Sequence, residues 1–333
     1  MIGFLILNVN DLKNSLSLIR RLPSDKVHLL LNSKKIRDNW QTLDEINGLD
    51  SLGCKTTMFS NVRDLKKVKL SHCFMGACYP YILSRDFNMR NLKQLGHKYG
   101  LSWGWDTFKK SSARKLSVFD KVILESPSFA TIRSEECKYD KFIYGHPYYD
   151  FRYTSSPDDV YDKYGIPRDR KIALVLHTFS MRLTPKRISQ YLKGICGKLK
   201  DKGYYVIYKH KSTMPHISDH HSDMYVEEDH IDNLLSTVEI GKVCDIFVIP
   251  CASRVLVEGV LSRKPVFLGN YGMHKSKAQH GIFKTFADGL TLNSFDDFDK
   301  PFVDLDQYDK WIDKWIVMNP EGNSDFVIKS LCI

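Results

Sequence analysis

Residues Asp245–Pro265 read DIFVIPCASRVLVEGVLSRKP. A short apolar run, Ile246–Ile249, meets Pro250 and a polar corner, Cys251-Ala252-Ser253. A helical pattern follows, with Val255, Leu256, Val260 and Leu261 on one face and Glu258 among them. Lys264-Pro265 stops it, and a second apolar run, Val266–Leu268, begins. Strand, corner, helix and strand make a βαβ unit, which commits this part of the chain to a parallel sheet. The corner also sets Ser253 and several backbone N–H groups at a helix N-terminus, where anions such as phosphate bind. The same pattern equally describes an ordinary βαβ unit with a Ser N-cap.

The rest of the chain repeats the alternation. Ile2–Leu7, Val27–Leu31, Thr56–Phe59, Ser71–Cys78, Asp120–Glu125 and Phe142–Tyr144 read as strands, with helical patterns at Asp11–Leu22 and Asp38–Asn47. Tyr148–Gly165 is rich in Tyr, Ser and Asp and holds Pro157, which marks a linker with an entry helix. A second series then follows: strand Lys171–His177, helix Pro185–Lys202, strand Tyr204–Tyr208, helix Ile231–Thr237, strand Ile246–Ile249, helix Arg254–Arg263 and strand Val266–Leu268. The end of the chain has an amphipathic pattern at Leu305–Val317. The expectation is α/β: two Rossmann-like, doubly wound domains facing a central cleft. The first covers 1–150, a linker 151–165, the second 166–304 and a helical tail 305–333. Ligands in such sheets bind outside the carboxyl ends of the strands, so the cleft is the expected site.

Bulk composition narrows the function. A chain of 333 residues can bury two cores, and 43% hydrophobic with 26% charged residues is an ordinary globular balance. No apolar run approaches the ~20 residues of a membrane span. The opening MIGFLILNVNDLK lacks a basic region and reads as a first strand rather than an export signal. The eight Cys contain no CxxC pair, which gives a zinc site little support and fits reduced thiols in a cytoplasm. The net charge of +10 is uneven. Residues 1–150 hold 24 Lys and Arg against 15 Asp and Glu, and residues 151–333 hold 25 against 24. The basic N-terminal half suggests an anionic partner: a phosphorylated polymer, nucleic acid, or the inner face of a membrane contacted peripherally. Solubility charge is the plainer explanation.

No GxGxxG, GxxxxGK[ST] or HExxH is present, which weighs against dinucleotide dehydrogenases, P-loop NTPases and zincins. The chemistry must come from dispersed residues. His97 lies in KQLGHKYGLSWGWD beside Gly96, Lys98 and Gly100, a loop in which an imidazole could act as general base on an alcohol, with Asp106 near enough in sequence to orient it. His146 follows the strand Phe142–Tyr144, where it would line the cleft or pack a hinge. After the strand that ends at His177 comes the loop with Thr178, Ser180 and Arg182, and Arg182 could neutralise a diphosphate. His210 ends the strand Tyr204–Tyr208, flanked by Lys209 and Lys211. His216, His220 and His221 lack acidic or Cys partners at a metal-site spacing and read as a solvated loop.

Taken in order, these segments resemble the CDP-glycerol glycerophosphotransferase family, the teichoic-acid polymerases and primases of GT-B fold. NLKQLGHKYGLSWGWD stands where that family has an HGTPLK-like loop, YGIPRDRKIALVLHTFSMR resembles the start of its C-terminal domain, VIYKHK its strand ending in HP, and CDIFVIPCASRVLVEGVLSRKPVF its Ser-Ser corner. The resemblance covers about residues 85–270. It implies that His97 is the catalytic base, that His210 lies near the donor diphosphate, and that Ser253 and Glu258 match the first corner Ser and the acidic residue on the next helix. Lys98 stands in place of a Gly, Lys211 in place of a Pro, Cys251 in place of the corner Asp and Arg254 in place of the second Ser.

The expected function is therefore a GT-B transferase that moves a sugar or polyol-phosphate from a nucleotide-diphosphate donor to a hydroxyl of a cell-surface polymer or lipid-linked acceptor. Ser180, Arg182, Ser253, Arg254 and Glu258 would meet the donor, and His97 and His210 would carry the chemistry. The donor is a substrate, so no cofactor and no divalent metal is expected. Three alternatives share the fold: a viral-type glycosyltransferase acting on hydroxymethylated DNA bases, a nucleotide-sugar 2-epimerase, and an inactive GT-B binding module.

Overall fold

The computed structural model describes residues 1–33, 43–77, 95–102, 116, 118–131, 141–150, 155–179, 183–211, 216–269, 283–296 and 298–333. Asp106, Ser180, Arg182 and the first half of the expected helix at 38–47 lie outside them; of its second half, Leu43–Glu45 forms a short 3-10 turn. The chain forms two compact units, Met1–Tyr153 with Asp313–Ile333, and Thr154–Ile312.

The first unit is built on strands β1 (Ile2–Ile6), β2 (Val27–Asn32), β3 (Lys55–Phe59), β4 (His72–Gly76), β5 (His97–Leu101), β6 (Lys121–Leu124) and β7 (Phe142–Tyr144). They lie in the order β3-β2-β1-β4-β5-β6-β7, and every pairing is parallel. All five residues of β1 and all six of β2 are buried, as expected of parallel strands covered on both faces. Helix α1 (Val9–Arg21) starts earlier than its apolar pattern suggests. Extended Asn8 accepts the N–H of Asn10 at 2.8 Å and of Asp11 at 3.3 Å, and so caps it. Leu12, Leu16 and Ile19 then face the core. Helix α2 (Pro127–Thr131) follows β6.

In the second unit, helix α3 (Pro157–Tyr164), capped by a Ser156–Asp159 box, precedes the sheet. The sheet comprises β8 (Lys171–Leu176), β9 (Tyr204–Lys209), β10 (Met224–Val226), β11 (Ile246–Ile249) and β12 (Val266–Leu268). The order is β10-β9-β8-β11-β12, again all parallel. Helix α4 (Pro185–Asp201) starts with Pro at its first position and a Thr184 cap. Its Ile188, Leu192, Ile195 and Leu199 are buried at helical spacing against Ala173, Val175 and Val206, each such side chain stabilising the unit by roughly 1.5–3 kcal/mol. Helix α5 (Ser236–Val243) buries Glu239, which accepts from Lys163 Nζ at 2.8 Å and the Tyr164 hydroxyl at 2.6 Å. Helix α6 (Leu256–Leu261) packs on β12 through Gly259, where a Cβ would stand 2.8 Å from the Val266 side chain.

The tail expected as one piece at 305–333 is divided. Helix α7 (Leu305–Trp315) belongs to the second unit through Ile312. Beyond it the chain is part of the first unit. Trp315 meets Phe129 edge-on at 5.3 Å, and the Val317 N–H donates to the Glu125 carbonyl at 2.8 Å. At the start of helix α8 (Asn323–Ser330), the Asn323 amide donates to the carbonyls of His146 and Val317.

Candidate functional site

Each sheet reverses its winding once. In the first the reversal lies between β1 and β4, and in the second between β8 and β11. Outside the carboxyl ends of strands at such a reversal, two connections leave in opposite directions and open a crevice for ligands. In the second sheet the residues there are His177-Thr178 after β8 and Pro250-Cys251 after β11. The Cys251 N–H donates to the Thr178 hydroxyl at 3.0 Å and ties the two ends together. His210 follows β9 beside them, and Glu227-Glu228 follow β10.

His177 is the best-defined group at this edge. It is only 2% exposed. Its Nδ1 lies 2.6 Å from the hydroxyl of Tyr208, a fully buried residue of β9. Burial raises the Tyr208 pKa, so the phenol stays protonated. Its proton has no other acceptor among the described residues, so Tyr208 donates to Nδ1 and the imidazole proton sits on Nε2. Burial, and then electrostatic coupling to neighbouring His210, hold the His177 pKa well below its usual value and keep the ring neutral. Nε2 is itself buried with no hydrogen-bond partner among the described residues. A desolvated N–H without an acceptor is costly unless something else supplies one.

His210 sits where the sequence places it. Its ring centroid is 4.9 Å from that of His177 in a T-shaped contact, and its Nδ1 lies 3.6 Å from the Glu227 carboxylate. Glu227 also lies 3.5 Å from His216 Nδ1. Lys209 and Glu228, 4% and 2% exposed, form a buried ion pair next to it. His216, His220 and His221 do not converge: they contact the Tyr225 hydroxyl, Ser222, and Asp219 with Ser189 respectively. No group of three or more His, Cys, Asp or Glu able to hold a metal ion occurs among the described residues.

The corner after β11 differs from its sequence reading. Helix α6 begins at Leu256, its N-cap is Val255, and no side chain caps it. Leu256 and Val257 instead donate to the carbonyls of Ser253 and Arg254 in a tight first turn. Ser253 is therefore not an N-cap, and six residues make a weak dipole. The Cys251 N–H, expected free for phosphate, is taken by Thr178. Arg254 lies in this turn, and Glu258 is buried on α6 at 3% exposure.

His97 also departs from expectation. It is the first residue of β5, not a loop residue beyond a strand end. It is exposed, stacked on His72 at 5.7 Å and 3.8 Å from Asp120. Gly96, at φ +59°, turns the chain into the strand where a Cβ would fall 2.2 Å from the Ser71 carbonyl oxygen. Lys98 donates its N–H to Asp120 and its ammonium to the Gly96 carbonyl. Both residues lie at the amino edge of the first sheet, opposite the end where parallel sheets bind ligands. His146, after β7, is at the carboxyl edge, but its Nδ1 accepts the Tyr148 N–H and its carbonyl accepts from Asn323. The structure thus gives it a capping role. Sequence reasoning singled out His210 and passed over His177. The available signal was a His closing each of two apolar strands, VLH and YKH.

No protein-family model matches the chain, and no curated protein matches it. Solved structures do. The UDP complex of UGT89C1 from Arabidopsis thaliana superposes with TM-score 0.58 at 11% identity, over 99% of this chain and 100% of that one. The UDP-GlcNAc 2-epimerase of Neisseria meningitidis, bound to UDP-GlcNAc, gives 0.57 at 12% identity over 100% of both chains. The glycotransferase of kitacinnamycin gives 0.56 at 10% identity, over 99% of this chain and 97% of that one. The fold is GT-B. At this identity the likeness extends to the GT-B architecture alone, and the two parallel Rossmann-like units account for it.

Proposed function

We propose that the chain is a glycosyltransferase-type GT-B enzyme whose second unit binds a nucleotide-diphosphate donor at the β8–β11 reversal. The observation that carries this reading is the buried, partnerless Nε2 of His177, with its proton fixed by Tyr208. A phosphate oxygen satisfies it, and in a water-poor site such a neutral donor stabilises the charge that builds on a leaving diphosphate. His210 stands beside it as a second group for that charge. The bond from the transferred group to the nucleotide's phosphate oxygen breaks, and its electron pair stays on that oxygen. The acceptor hydroxyl forms the new bond, and its proton passes to the departing phosphate. A sugar would leave a nucleoside diphosphate and a polyol-phosphate a nucleoside monophosphate; Nε2 meets an anionic phosphate oxygen in either case, and a cell-surface polymer or lipid-linked molecule remains the preferred acceptor class. No resident cofactor or divalent metal is required in this reading. His97, at the amino edge, has no part in it.

Thermal-shift titration with UDP, CDP and GDP tests it. Ligand at 100 times its Kd stabilises by about 2.7 kcal/mol. One nucleotide class should raise the Tm of the unaltered chain, and His177→Ala should lose that shift while keeping its circular dichroism. No shift with any of them would overturn the reading. Turnover of a UDP-sugar without acceptor would select the 2-epimerase alternative instead.

A further inference from the structure

The excess charge of the first unit is concentrated by its register. Lys26 leads into β2, Lys55 starts β3, Lys69 precedes β4, Lys121 starts β6 and Lys141 precedes β7. Because the strands are parallel and in register, these residues lie along one edge of the sheet, the amino edge. The seven strands make that edge roughly 29 Å long at the usual spacing of about 4.8 Å. All five lysines are exposed. None has a carboxylate partner among the described residues. Asp25, Asp120 and Asp140 are their acidic neighbours in sequence, and Asp120 is already held by the Lys98 N–H at 2.7 Å. The described residues immediately beyond the carboxyl ends of the same strands include Asn8, Ser33, Ser60, Ala77, Ser102, Glu125 and His146, and none of them is Lys or Arg. In the second unit Arg168, Lys198, Lys200, Lys202 and Arg263 face carboxylates. Lys186, Lys193, Lys284 and Lys300 are exposed without one among the described residues and are not gathered on one sheet edge.

We infer that the amino edge of the first sheet is a docking surface for an anionic lipid bilayer. Five exposed cations without a carboxylate partner among the described residues complement a planar negative field, and each lysine near such a surface adds about fivefold to partitioning. The cations of this row are lysines. Arginine forks suit specific phosphate recognition, whereas lysine is a hydrated point charge suited to a diffuse one. Nucleic acid is the poorer fit, because Tyr99 of β5 is buried at 5% exposure and the exposed His97 ring is already stacked on His72, which leaves little face for base stacking. Docking by this edge leaves the carboxyl edge of the same sheet open.

Sedimentation of the full chain with vesicles tests this, using mixed phosphatidylglycerol and phosphatidylcholine against phosphatidylcholine alone. Binding is expected only to the anionic vesicles and should fall steeply with added salt. The combined variant Lys26→Gln, Lys55→Gln, Lys121→Gln, Lys141→Gln should lose roughly a hundredfold or more in partitioning. A control that removes the same charge from the second unit, Lys186→Gln, Lys193→Gln, Lys284→Gln, Lys300→Gln, should bind like the unaltered chain. Equal binding by both variants, equal binding to neutral vesicles, or retention by duplex DNA in place of the vesicles would each overturn the assignment.

Discussion

The hydroxyl of Tyr208 lies 2.6 Å from Nδ1 of His177, and that bond decides which nitrogen of the imidazole carries the proton. Tyr208→Phe keeps the ring and its packing but removes the donor. Nδ1 is then left buried without its partner, which should cost about 1–3 kcal/mol in urea unfolding. The ring nitrogens of His177, followed by NMR, should lose their single tautomer. An unchanged tautomer would show that the phenol does not set it.

The neutral state of His177 makes stability depend on pH. The folded pKa lies well below the ordinary value of 6.5 through burial and electrostatic coupling to His210, Lys211 and Lys209. Below about pH 6.5 the unfolded chain takes up a proton that the folded chain refuses. Its contribution is thus complete above that pH and shrinks as pH falls, by up to about 1.4 kcal/mol per pH unit. His177→Asn should flatten the acid side of the stability profile relative to the unaltered chain. Parallel profiles would contradict a neutral buried ring.

Lys209 and Glu228 are buried together at the ends of neighbouring strands. Lys209→Met leaves a carboxylate uncompensated and should cost roughly 3–5 kcal/mol. Replacing both, Lys209→Met with Glu228→Leu, should recover much of the loss, because the desolvation of two charges disappears with them. Denaturant midpoints of the three proteins would show this.

A chain ended after Ile312 should fail to hold the first unit together. It loses Trp315 from its packing on Phe129, the Val317 bond to Glu125, and the Asn323 bridge to His146. Hydrogen exchange should then show loss of protection in β6 and β7 while β8 and β9 keep theirs. Protection retained in β6 and β7 would mean that the tail is dispensable.

Much of this was legible in the chain. The βαβ pattern at Asp245–Pro265 is present with the expected parallel strands. His210 was singled out because it closes the strand Tyr204–Tyr208 with Lys209 and Lys211 beside it, and the structure places it at that strand's carboxyl end. His97 was misplaced because Gly96 and Gly100 suggest a loop, whereas Gly96 provides one left-handed turn and Gly100 lies within β5. The helix after Cys251 was read too long because its first turn is closed by bonds to Ser253 and Arg254 that no residue type announces. His177 was passed over because its significance depends on Tyr208, 31 residues away.

The sequence by itself determined two parallel α/β units and a basic first half, because apolar runs, helical periodicity and residue counts are local properties. Tertiary structure decided which edge of a sheet each polar residue occupies, which nitrogen of His177 carries its proton, and that 313–333 completes the first unit. Those outcomes depend on strand register and on contacts between residues far apart in the chain. The βαβ corner illustrates the division: its strand, helix and strand are written locally, but its N–H groups were assigned only when Thr178 came within 3.0 Å of Cys251.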